Sequence, residues 1–153
     1  MVDNFRRFYI PSPYYKYSMQ AEYLELFEQL VREVIRTQGL CLPYELQQYT
    51  TAVMAEYTDK PRVTLDKTFA ELYLTAESAR DCKTVGDAAL LVYGAFPQYR
   101  KHRGMHRSYY REIGRSAYSR IHRQPFEMMS EHWDLAGDLV QATVSQMPVQ
   151  LLK

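Results

Sequence analysis

The chain has 153 residues, a net charge of +1 and 14 tyrosines. That length suits one domain able to bury about 68–70% of its unfolded surface, and the near-zero charge provides no bulk attraction to nucleic acid or anionic lipid. Two cysteines, Cys41 and Cys82, are too few for a disulfide scaffold and lack metal-site spacing, so they read as reduced thiols.

Residues 1–17 gather Phe5, Phe8, Tyr9, Ile10, Tyr14, Tyr15 and Tyr17 around Pro11 and Pro13. Prolines oppose a helix and aromatics oppose plain disorder. The pattern predicts an extended aromatic arm, followed by a single helical domain over 18–153. The arm has no apolar core of a signal peptide, and no later run reaches about 18 apolar residues. The expectation is a cytoplasmic protein that does not span a membrane.

Helix one is predicted over 19–38, with Tyr23, Leu26, Phe27, Leu30, Val31, Val34 and Ile35 on an apolar face and Gly39 as its C-terminal stop. Pro43 opens helix two as its first residue, with Leu46, Tyr49, Val53 and Tyr57 in one stripe. Helix three follows Thr64 and turns Leu65, Phe69, Leu72, Tyr73 and Ala76 inward. The next helix is central. Thr84 and Asp87 have capping-box spacing, and Val85 to Phe96 then offer no polar face, so protein must surround this helix. Gly86 and Gly94 fall on nearly one side, where a neighbouring backbone can approach closely, and Pro97 ends the helix.

Ser108 is a suitable N-cap for the next helix. Its stripe is Tyr110, Ile113, Gly114, Ala117, Tyr118 and Ile121, and Gly114 is placed to meet the glycines of the central helix. A final helix runs from Gln124-Pro125 to about Met147. Together these predict an all-α, single-domain bundle of about six helices around a buried helix at 85–96.

The run VGDAALLVYGAFPQ and the later YYREIGRSAYSRI resemble a family of bacterial, mainly proteobacterial, all-helical proteins with no established activity. The resemblance rests on Gly86, Asp87, Ala89, Leu90, Gly94, Phe96, Pro97, Tyr109, Tyr110, Gly114, Ala117 and Tyr118, and covers roughly residues 40–145. It implies an all-helical fold and leaves function open.

No Glu is followed three residues later by His, which argues against the di-iron chemistry common in helical bundles. His102 and His106 flank a glycine turn and read as solvated. No nucleophile elbow, phosphate loop or dinucleotide fingerprint occurs. No catalytic residue, metal site or cofactor is expected. The candidate polyanion-binding set is Arg100, Lys101, Arg103, Arg107, Arg111, Arg115, Tyr118 and His122, where cations and rings alternate. The competing reading pairs these arginines with the acidic faces of helices one and three, or has them simply solvate the fold. A second candidate is an interface of Met128, Leu135 and Leu139, a second apolar stripe on the final helix that needs cover from the arm or from another copy of the chain.

Three functions follow from these residues. The first is a non-enzymatic interaction or regulatory protein whose partner is another protein or a second copy. The second is a nucleic-acid or polyanion binder. The third is an enzyme or small-ligand binder with a tyrosine-lined pocket.

Overall fold

The computed structural model describes residues 7–8, 17–58, 63–64, 68–96 and 104–147. The fold is all-α. In chain order the helices are α1 (Tyr17–Gln38), α2 (Tyr44–Thr58), α3 (Phe69–Thr75), α4 (Ala79–Ala95), α5 (Arg107–Ser119), α6 (Phe126–Glu131) and α7 (Trp133–Ser145). The predicted arm lies mostly outside the described residues. Its Arg7–Phe8 pairs antiparallel with Val63–Thr64 in a two-residue ladder.

α1 buries Phe27, Val31 and Val34, which recur at helical spacing. It stops at Gly39, whose φ of 64° suits a residue without Cβ. α2 begins at Tyr44, one residue after Pro43. It lays Leu46, Val53 and Tyr57 into the core. α3 is shorter than the sequence pattern suggests. Thr68 caps it by accepting from the Glu71 amide. Ala76 then turns to extended backbone and ends it. Arg120 holds that end down, donating to the carbonyls of Tyr73 at 3.1 Å and Ala76 at 2.9 Å.

α4 starts earlier than Thr84. Its N-cap is Ser78, whose hydroxyl accepts from the Asp81 amide at 3.1 Å. Thr84 lies inside the helix with its hydroxyl bonded back to the Arg80 carbonyl. The core of α4 matches the sequence: Val85 to Gly94 are all buried. It packs mainly against α5 and α7, with α3 at its flank.

The glycines set those contacts. A Cβ on Gly86 would lie 2.5 Å from Cε1 of Tyr118 in α5, and one on Gly94 would lie 2.9 Å from the Gly137 carbonyl oxygen of α7. Gly114 faces the ring of Trp133 rather than the glycines of α4. Small residues thus let α5 and α7 close on α4 from two sides.

The N-cap of α5 is His106, not Ser108: its Nδ1 accepts from the Ser108 amide at 3.1 Å. The predicted final helix is two helices, α6 and α7, parted at His132. α7 is not peripheral. It packs against α4, α1 and α2, which explains an apolar surface wider than one stripe. Cys41 is exposed, Cys82 is buried, and both are free. No helix among the described residues is long and apolar enough to cross a membrane.

Candidate functional site

A charged residue inside an apolar helix needs partners, because desolvation penalises it severely otherwise. Asp87 is such a residue, fully buried in α4. α5 and α2 supply the partners. Gly86, beside it, leaves room for the Tyr118 ring to lie on the α4 backbone. The Tyr118 hydroxyl then donates to Oδ1 of Asp87 at 2.7 Å. Tyr49 of α2 donates to the same oxygen at 2.5 Å. Lys83, one helical turn before Asp87, donates its ammonium to Oδ2 at 2.7 Å. Its Nζ also lies 3.5 Å from the Glu56 carboxylate of α2.

The electrostatics follow from this placement. Burial and the Asp87 charge push the phenol pKa values of Tyr49 and Tyr118 well above the usual range. Tyr57, on the same face of α2, is raised for the same reasons. Burial pulls the Lys83 pKa down, but Asp87 and Glu56 outweigh it and the net direction is up. All these groups keep their protons at neutral pH, and Tyr49, Tyr118 and Lys83 act as donors. Asp87 accepts three hydrogen bonds and has no solvent exposure, so a substrate could reach it only by displacing one of them.

A second polar cluster joins α5 to α4 and α7. Arg111 grips Asp134 with two parallel bonds, Nε to Oδ1 at 2.9 Å and Nη2 to Oδ2 at 3.1 Å. That grip holds the Asp134 carboxyl below its ordinary range. Tyr93 donates to the same carboxylate at 2.7 Å. Burial and this bond push its phenol up to about 12. Arg107 stacks its guanidinium 3.8 Å from the Tyr93 ring centre and donates to the Tyr93 carbonyl. Arg115 donates to the Ser130 carbonyl, and Ser130 returns a bond to the Arg115 carbonyl.

The sequence-derived candidates therefore separate. Arg107, Arg111 and Arg115 do lie along one flank of α5. Their partners are backbone carbonyls, Asp134 and, for Arg111, also Glu112, not the acidic faces of the first and third helices. Tyr118 is fully buried beneath Asp87 and is not on that flank. His122 is exposed in the turn after α5. Arg100, Lys101 and Arg103 lie outside the described residues. The apolar trio is also split: Leu139 is fully buried, Met128 is half-buried against the core, and Leu135 is 38% exposed. Leu139 is covered within the chain, because α7 lies among three helices.

The groups around Asp87 escaped the sequence pattern. One signal was present: an Asp within an unbroken apolar run, one turn after a Lys. The capping-box spacing from Thr84 concealed it.

The surface offers one further feature. An open depression of about 450 Å³ lies between the first turns of α2 and the start of α6, lined by Glu45, Gln48, Tyr49, Gln124 and Pro125. Beside it Tyr44 is 69% exposed. In comparisons with protein-family models, with curated proteins and with solved structures, nothing matches this chain.

Proposed function

We propose that this chain is a non-enzymatic interaction or regulatory protein of the cytoplasm, with a protein as its partner. The observation that carries the reading is the mutual satisfaction of the Asp87 cluster. Three donors occupy the buried carboxylate, and two carboxylates share Lys83. Tyr49, Tyr93 and Tyr118 spend their hydroxyls on internal carboxylates. Polyanion binding has less behind it, since Arg107, Arg111 and Arg115 would each have to loosen an internal bond to meet a phosphate.

Affinity capture from the source cell tests this, with mass spectrometry and nucleic-acid detection on the same eluate. The reading expects a protein in stoichiometric amount that survives nuclease treatment. Recovery of nucleic acid alone, lost on raising salt, overturns it.

A further inference from the structure

We infer that α3 is a replaceable strap, and that the face of α5 and α4 beneath it receives an amphipathic helix of the protein partner when α3 leaves. The inference rests on the interaction reading above and names the surface and the kind of partner it fits.

α3 is lightly held. It has 7 residues, fewer than a helix needs to persist alone in water. Phe69 is its one buried residue. Ala70, Leu72 and Tyr73 are half-buried, and Glu71, Leu74 and Thr75 are exposed. α4, by contrast, is buried without a break from Val85 to Gly94. Elements with so little burial open locally before the whole domain unfolds.

The surface under α3 grips it by groups that any helix has. At one end the Tyr109 hydroxyl accepts from the Ala70 amide at 3.0 Å. At the other, Arg120 donates to the carbonyls of Tyr73 and Ala76. Tyr109 and Arg120 stand about three turns apart on one side of α5. An acceptor for first-turn amides and a donor for last-turn carbonyls serve helix ends in general. Neither contact reads an α3 side chain, and together they set the direction of the helix along α5.

Side chains are read between those ends. Phe69, Leu72, Tyr73 and Ala76 turn toward the core at i, i+3, i+4 and i+7, the anchor spacing of a helix laid in a groove. Phe69 meets the buried Tyr110 ring edge-on at 5.3 Å. The partner helix is thus one with an aromatic ring first, two apolar residues a turn later and a small residue a turn beyond. The rest of the described surface offers less. Its large exposed hydrophobics, Leu24, Tyr44, Leu74, Met105 and Leu135, fall on separate elements, so no described helix presents a stripe of them. Lifting α3 opens a contiguous apolar face.

The test uses the full chain and a blocked, fluorescently labelled peptide of residues 68–77, followed by anisotropy. In Phe69→Ala the strap has lost its anchor, whereas in the wild type it competes from within the chain. The peptide should therefore bind Phe69→Ala about tenfold or more tightly than the wild type. The peptide carrying Phe69→Ala should not bind. Hydrogen exchange of the wild type decides independently, and covers a Phe69→Ala chain that does not fold. The Leu72 and Ala76 amides, both hydrogen-bonded, should be protected about a hundredfold less than those of Leu90 and Val92 in α4. Equal protection in the two helices overturns the inference, as does a folded Phe69→Ala chain that ignores the peptide. Wild-type dimers that the peptide dissociates would assign the face to α3 of a second copy and overturn the partner helix. A captured partner that the peptide does not displace would remove the strap while leaving the interaction reading intact. Failure of the wild type to capture any protein would remove that reading itself.

Discussion

Tyr118 donates its hydroxyl to Oδ1 of Asp87 at 2.7 Å while its ring lies on Gly86, the residue just before Asp87. One dipeptide therefore supplies both the space for the ring and the acceptor for its tip. This joins α5 to the centre of the bundle, and Tyr49 joins α2 to the same oxygen.

Asp87→Ala should destabilise by about 3–5 kcal/mol, since it strands two buried hydroxyls and the Lys83 ammonium. Asp87→Asn keeps an acceptor for the tyrosines and should recover part of that loss. Tyr118→Phe removes one bond and should cost about 1–2 kcal/mol. Urea denaturation of the three variants checks the order. Equal midpoints for wild type and Asp87→Ala would show that the cluster contributes nothing.

The same cluster predicts alkaline lability. Tyr49, Tyr57 and Tyr118 have raised folded pKa values, caused first by burial. In the unfolded chain a tyrosine ionises near pH 10. Below that pH both states hold the proton, and the stabilisation is fully present. Above it the unfolded state loses protons that the folded state keeps, so stability falls by up to about 1.4 kcal/mol per pH unit for each such group. Lys83, also raised, acts in the same direction. The phenolate absorbance should therefore grow in two stages, the second coinciding with loss of far-ultraviolet circular dichroism. Tyr49→Phe should shrink the second stage. One stage near pH 10 with the helix signal intact would contradict the burial of these phenols.

Gly114→Ala tests the closest packing. A methyl there would overlap the Trp133 ring. Overpacking typically costs about 1–3 kcal/mol, offset by about 1 kcal/mol of helix propensity. Here the ring is buried and boxed in by Tyr93 and Tyr118, so the upper end or beyond is expected. Near-ultraviolet circular dichroism of this lone tryptophan should change with it. Gly94→Ala meets the Gly137 carbonyl and Val140 at 2.9 Å and should also destabilise. A raised melting temperature in either variant would show free space at that site.

What the sequence disclosed was local. α1 was legible because a wide apolar face ends at a glycine with positive φ. The burial of α4 was legible because Val85 to Phe96 leave no polar side. Its start was not, because Thr84 and Asp87 imitate the cap that Ser78 and Asp81 form. The break at His132 carries neither glycine nor proline, so periodicity ran through it. The tyrosine partners of Asp87 lie 38 and 31 residues away in sequence. Nothing local shows such a meeting. Arg107 and Arg115 chose backbone carbonyls, which every residue possesses and no pattern distinguishes, and Arg111 chose a carboxylate 23 residues away.

The break at His132 also reassigns two leucines. On one continuous helix Leu135 and Leu139 share a stripe, and both read as surface awaiting cover. In the fold Leu139 is fully buried and Leu135 is 38% exposed. A charge at Leu139 would sit among α4, α1 and α2 without a partner, a change of the kind that produces the largest losses. A charge at Leu135 reaches water, and its effect should stay within about 0.5 kcal/mol. Leu139→Glu is therefore expected to lose cooperative unfolding, and Leu135→Glu to melt like the wild type. Thermal melts and sedimentation velocity on both variants decide. A Leu139→Glu chain with a wild-type melt would place Leu139 outside the core. Self-association must be read from Leu135→Glu alone, because a Leu139→Glu chain that fails to associate has first failed to fold.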